Sequence, residues 1–140
     1  MADLLVPAAD LCPLAPDAPL PTVIANLTSG SRTLGSLGAA WMPAHHDPGR
    51  LAGLITDGDL RRCLQSHGSG DWIQLTAASM ATLDPITVTP DTMAATALDL
   101  MERNGKRTIS VLPVVDPADP GRLLGLLRLH DLVQAGLGNP

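Results

Sequence analysis

The chain repeats itself once, and this duplication limits its fold more than any other feature. When residues 11–64 are written above residues 85–135, Pro16-Asp17 falls on Pro90-Asp91. Leu20, Val23, Ile24 and Leu27 fall on Ala94, Ala97, Leu98 and Met101. Further on, Gly49-Arg50-Leu51-Ala52-Gly53-Leu54 falls on Gly121-Arg122-Leu123-Leu124-Gly125-Leu126, and Asp59-Leu60 on Asp131-Leu132. The offset is 74 residues early and 72 late, so the first copy carries two extra residues in its middle. A repeat of this length is one supersecondary unit, too small to hide its own apolar face, and two copies are expected to pack on each other. A chain of 140 residues accommodates such a pair.

Each copy reads strand, helix, strand, strand, helix. In the second, Ile86-Thr87-Val88 alternates as a short strand does. Asp91 is placed to cap a helix running to about Arg103, with Ala94, Ala97, Leu98 and Met101 on one face and Asn104-Gly105 at its end. Residues 108–115 are β-rich and almost wholly apolar, as a buried strand is. Residues 116–121 have turn composition. Residues 123–127 form the next strand, and a short helix runs from about Leu129 to near Gly136. The first copy follows the same order after a Pro- and Ala-rich opening. Its helix covers about residues 18–29, with Pro19 and Pro21 confined to the first turn. Residues 37–42 and 51–55 are the paired strands, 43–50 their connection, 57–67 the closing helix, and 67–71 the link between copies.

Composition excludes several classes. Hydrophobic residues make up 45%, but there are two Trp and no Phe or Tyr, so the core must be aliphatic. A net charge of −5 argues against nucleic-acid binding through phosphate neutralisation. The basic pairs Arg61–Arg62 and Lys106–Arg107 read either as solvated faces or as local anion sites. Cys12 and Cys63 lack CxxC spacing, which fits a reduced cytoplasmic setting. Nothing approaches 18 uninterrupted apolar residues, and no basic segment precedes an apolar run as in a signal peptide.

The residues with chemistry to offer sit where the last strand of each copy meets its closing helix. Thr56-Asp57-Gly58-Asp59 has the spacing of a capping box, with Asp in place of the usual Glu. A hydroxyl and a carboxylate at a helix start also suit a phosphate and a pair of sugar hydroxyls. In the second copy Arg128 replaces Thr56 while Asp131 remains, so the hydroxyl cap fails and an ion pair or a phosphate clamp takes its place. His45-His46-Asp47 lacks a distant partner for a metal, and Asp57-Gly-Asp59 lacks the other ligands of a calcium loop. His130 beside Asp131 has no nucleophile with it. P-loop, GxSxG and dinucleotide fingerprints are absent. No catalytic constellation and no metal site is expected.

The duplicated unit, each copy closing on a Gly-apolar strand followed by an Asp helix start, resembles the tandem CBS domain pair. Gly53-Leu-Ile-Thr-Asp-Gly-Asp-Leu-Arg-Arg62 is similar to the first repeat of the CBS pairs attached to arabinose-5-phosphate isomerases, as are Met80-Ala-Thr-Leu-Asp-Pro-Ile-Thr-Val-Thr-Pro90 and Leu129-His-Asp-Leu132. The resemblance implies an α/β (α+β) fold of two β-α-β-β-α repeats packed as a pseudo-two-fold pair, at 1–67 and 75–138 with a linker at 68–74. It implies one ligand site at Thr56, Asp57, Asp59, Leu37 and Ala39, and another at Thr108, Ile109, Arg128, His130 and Asp131, for a nucleotide or nucleotide-sugar. The Asp would accept from ribose hydroxyls and the Thr would face a phosphate. The implied role is regulatory rather than enzymatic, with a sugar-isomerase domain of lipopolysaccharide or capsule synthesis as partner. The chain goes from Met1 almost directly into the first repeat, which reads either as an excised fragment or as a free-standing relative. A homodimer through the helices is expected, using Leu60, Leu64, Leu132, Val133 and Leu137. The alternative is a structural dimerisation module with vestigial sites.

Overall fold

Pro43, Pro48 and Pro120 lie inside strands, and that single fact reshapes both hairpins. A computed structural model of the chain describes residues 4–29, 38–83, 85–102 and 109–134. Its elements in chain order are β1 (Val6–Pro7), α1 (Leu20–Ser29), β2 (Ala39–Ala44), β3 (Asp47–Thr56), α2 (Asp57–Ser66), α3 (Ala77–Met80), α4 (Ala94–Glu102), β4 (Val111–Asp116), β5 (Asp119–Arg128) and α5 (Leu129–Gln134). Short 3-10 turns occupy Ala8–Asp10 and Ser69–Gln74. The expected connections at 43–50 and 116–121 are therefore mostly strand, and each hairpin turns through two residues, His45–His46 and Pro117–Ala118. Pro43 is tolerated because the β2–β3 register shifts on both sides of it, and a bulge needs no ladder bond from its extra residue. Asp47 and Asp116 tighten the two turns by accepting from Gly49 N at 3.1 Å and Ala118 N at 2.9 Å.

The chain divides into two compact units, one of residues 9–85 and one of residues 1–8 with 86–140. Leu75, Ala77 and Met80 are buried with the first copy's core. The segment 67–74 is also more than a link: it holds the Ser69–Gln74 turn, fastened by Trp72 Nε1 donating to His67 O at 3.2 Å.

In the first unit, Val23 and Leu27 of α1 pack on Ala40, Met42 and Ile55 of the hairpin, with Cys63 of α2 and Met80 of α3 closing the cluster. In the second, Ala97 and Met101 of α4 pack on Leu112, Val114 and Leu127, with Leu132 of α5. Val23 and Ala97, and Leu27 and Met101, are the pairs that the repeat superimposes. The hairpins agree residue by residue at an offset of 72: Ala39 pairs with Thr56 as Val111 pairs with Arg128, and Met42 with Gly53 as Val114 with Gly125.

Each hairpin is crossed by a chain segment at its Gly-Leu step. In the first unit Thr82 bridges Leu54, with N–H···O bonds of 2.9 and 3.0 Å in the two directions. In the second, β1 takes the equivalent place, Val6 facing Leu126 and Pro7 facing Gly125. Ile86-Thr87-Val88 contributes a single parallel bridge, Val88 to Val114, rather than a strand. Asp91 lies in the turn ahead of α4, accepting from the Thr89 hydroxyl, and not next to the helix start. The Asn104-Gly105 stop and Leu137 lie outside the described residues, and no helix among the described residues is long and apolar enough to cross a membrane.

Candidate functional site

The start of α2 follows from β3 without a loop, so the helix must be capped by the strand's last residue. Thr56 is extended and its Oγ1 accepts from Asp59 N at 3.2 Å, while Asp59 Oδ2 accepts from Thr56 N at 2.9 Å. The Thr56 hydroxyl also lies 3.1 Å from Asp59 Oδ2 as a donor. The box anticipated from spacing is thus present in full, and it aims one face of the Asp59 carboxylate back at the strand. The other oxygen, Oδ1, accepts from Arg62 at 2.7 Å. Arg62 is exposed and bends over Gly58, where a Cβ would come within 3.1 Å of its guanidinium. Arg62 was legible only as half of a basic pair; the turn of helix between it and Asp59 is what places the cation at the helix start.

Gly38 fixes the neighbouring strand against this corner. Its φ of +70 is in the region that favours glycine, and a Cβ there would lie 2.7 Å from the Asp57 carboxylate. Its carbonyl accepts from Asp57 N at 2.9 Å and its N–H donates to Leu27 O at 3.2 Å. Ala39 then pairs with Thr56. Thr56, Asp57, Asp59 and Ala39 are thereby brought together, as the sequence reading grouped them. Leu37, the fifth member of that group, lies outside the described residues.

Between α2 and α3 lies an open groove of about 250 Å³, lined by Asp59, Arg62, Cys63, Ser66, His67, Ser79 and Met80. Cys63 Sγ stands 3.9 Å from His67 Nδ1, but that nitrogen is also 2.8 Å from Cys63 O, which engages the imidazole with the backbone.

The corresponding corner of the second unit is built differently. Arg128 donates from Nε and from its terminal nitrogen to the two oxygens of Asp131, each at 2.8 Å. Arg128 and Asp131 thus form an ion pair. Leu129 N donates to Ser110 O at 2.8 Å, tying the helix start to β4, and Ile109 N donates to Met101 O at 2.7 Å. His130 is exposed on α5. Thr108, Lys106 and Arg107 lie outside the described residues. His45 and His46 are exposed at the hairpin turn, and Asp47 beside them pairs with Arg50 at 3.6 Å, as Asp119 pairs with Arg122 at 3.7 Å.

This architecture is that of a tandem CBS domain pair. The CBS domain model matches residues 77–138. The fold is similar to the crystal structure of CBSX2 in complex with AMP, at a TM-score of 0.71 and 22% identity, covering 98% of this chain and 95% of that one. It is similar also to the CBS domain of the bacterial CNNM/CorC family Mg2+ transporter in complex with ATP, at a TM-score of 0.71 and 19% identity, covering 99% and 87%. The chain belongs to the CBS-pair family and is homologous to arabinose 5-phosphate isomerases. It is 38% identical to KpsF of Escherichia coli over 126 residues, 90% of this chain and 33% of that protein. It is 38% identical to KdsD of Pseudomonas aeruginosa over 120 residues, 84% of this chain and 35% of that protein. The chain spans about a quarter to a third of the length of the curated relatives it matches.

Proposed function

We propose that this CBS pair is a regulatory module that binds a nucleotide or nucleotide-sugar and acts on a sugar-phosphate isomerase, an arabinose-5-phosphate isomerase of lipopolysaccharide or capsule sugar synthesis. The observation that carries the reading is the corner built from Gly38, Ala39, Thr56, Asp57 and Asp59, where a strand start, a helix start and a carboxylate meet in a fixed geometry. Such preorganisation is what binding a small polar ligand requires. The homology to KpsF and KdsD supports the isomerase, and the AMP and ATP in similar folds support the ligand class. Free Cys12 and Cys63 fit a reduced cytoplasm. A second copy of the chain is the proposed partner, docked through the helices, with exposed Ile24, Met93 and Val133 as apolar contacts.

The competing reading is a dimerisation module with vestigial sites. It draws on the Arg128–Asp131 pair, which occupies both oxygens of the second carboxylate. Calorimetric titration of the chain with AMP, ATP and nucleotide-sugars separates the two. Binding is expected, with Asp59→Ala weakening it about ten- to a hundred-fold and Asp131→Ala less. Equal affinity in wild type and folded Asp59→Ala removes Thr56 and Asp59 from the ligand site. Absence of binding by the wild type favours the dimerisation module. Turnover of arabinose 5-phosphate by the pure chain would overturn the purely regulatory role.

A further inference from the structure

Among the described residues, two buried side chains carry a polar atom with no hydrogen-bond partner: Asn26 Oδ1 and Trp41 Nε1. The Asn26 amide is anchored through its nitrogen, which donates to Cys12 O at 3.0 Å, and a carbonyl oxygen left over is tolerable. Trp41 has no such compensation. Its indole has one polar atom, a donor, and the residue is only 5% exposed. The other tryptophan, Trp72, is less buried, yet its indole N–H is bonded to His67 O at 3.2 Å. A buried donor without an acceptor is costly, and native chains retain few of them without a purpose.

The position of Trp41 suggests the purpose. In the β2–β3 ladder Ala39 faces Thr56 and Trp41 faces Leu54, while Ala40 faces Ile55. Ala40, Met42 and Ile55 belong to the first unit's core. Alternation therefore places Ala39, Trp41, Leu54 and Thr56 together on the opposite face of the hairpin. Trp41 lies one alternation, about 7 Å, along the strand from Ala39, which is paired to the capping threonine. Thr56, whose N–H and hydroxyl bond to Asp59, therefore shares a hairpin face with Trp41. The second repeat has Pro113 at the matching register, opposite Leu126, and proline has no side-chain donor.

We infer that the Trp41 indole N–H is a ligand-binding donor of the first site. It selects a planar heterocycle that presents a ring nitrogen or carbonyl oxygen at its edge. The inference rests on the nucleotide reading above and adds to it a specificity residue that only one of the two repeats possesses.

The test replaces one atom. The full chain is prepared with Trp41→Phe, and separately with 3-benzothienylalanine at position 41, which keeps the bicyclic shape and exchanges the N–H for sulfur. AMP, ATP and nucleotide-sugars are titrated into each by calorimetry, and each melting temperature is recorded. The benzothienyl chain is expected to melt at or above the wild-type temperature and to bind the preferred nucleotide about three- to ten-fold more weakly, the effect of one lost hydrogen bond. Wild-type affinity in the benzothienyl chain overturns the inference, assigning the N–H to a buried water, and leaves the nucleotide reading intact. A wild-type chain that binds none of these ligands overturns both.

Discussion

Arg128 holds Asp131 with two hydrogen bonds of 2.8 Å, one to each carboxylate oxygen, and both side chains are 20% exposed. At the equivalent corner of the first repeat a hydroxyl and a carboxylate cap each other instead. The same strand-to-helix junction is thus closed by two different chemistries, a guanidinium fork in one copy and a reciprocal hydroxyl–carboxylate cap in the other.

The fork is a planar, bidentate contact, so it distinguishes arginine from lysine. Arg128→Ala is expected to cost about 1–2 kcal/mol, between the values for exposed and buried pairs. Arg128→Lys should recover less than half of this. Chemical denaturation of the three chains, repeated at high salt, checks it. The difference between Arg and Lys should persist in salt, because half-buried pairs are screened weakly. Equal stability of Arg128→Ala and wild type would show that the pair contributes nothing.

Thr56 supplies the cap for a ten-residue helix. Thr56→Ala should cost about 1 kcal/mol, and Thr56→Ser should restore nearly all of it. For a chain of this size that corresponds to a fall of about 3–5 °C in Tm. Differential scanning calorimetry reads both variants. Loss of the Asp59 partner should show in the same experiment: Asp59→Ala, which also frees Arg62, is expected to melt below Thr56→Ala.

Two glycines occupy matching positions where a segment crosses a hairpin, and their surroundings predict unequal tolerance. A Cβ at Gly125 would lie 2.2 Å from Val6 O, a backbone atom of the crossing strand. A Cβ at Gly53 would meet Met42 Cε at 3.0 Å, Ala81 Cβ at 3.2 Å and Thr82 O at 3.3 Å. Gly125→Ala must displace β1 and should cost on the order of 2–4 kcal/mol, whereas Gly53→Ala should cost about 1 kcal/mol or less. Deleting residues 1–8 should destabilise the second unit and abolish the Gly125→Ala penalty, since the obstructing carbonyl is gone. Amide exchange in β5 measures both effects.

The repeat made most of this legible. Matched apolar positions located the buried faces of α1 and α4, and the Thr-x-x-Asp spacing located the cap at α2. What escaped the sequence has physical causes. The prolines at 43, 48 and 120 read as loop signals, because a bulge or strand end that tolerates proline leaves no local signature. The crossing of β1 over the second hairpin is a contact between distant segments, and no local pattern encodes it. Trp41 drew no reading from the sequence, since an unsatisfied donor exists only relative to a fold. Arg62 read as half of a basic pair, because its bond to Asp59 depends on the helix beginning at Asp57.

The apolar residues of the closing helices divide differently from the sequence expectation, and this sets the last prediction. Leu60, Leu64 and Leu132 were assigned to a surface between copies. Leu132 is fully buried within the second unit's core, and Leu60 and Leu64 pack partly against the first unit's core. The helical period turns Val133 outward, and it is 43% exposed. Leu132→Ala should therefore act on folding, costing about 2–5 kcal/mol, whatever the oligomeric state. Val133→Asp should scarcely change the fold of a single chain, since a half-exposed position accepts a charge. If the helices dock a second copy, the same aspartate places a charge in an apolar contact and shifts the dimer toward monomer. Light scattering at micromolar concentration, with circular dichroism as a control for folding, reads the two effects separately. A wild-type monomer, or a Val133→Asp dimer of unchanged affinity, would remove α5 from the interface.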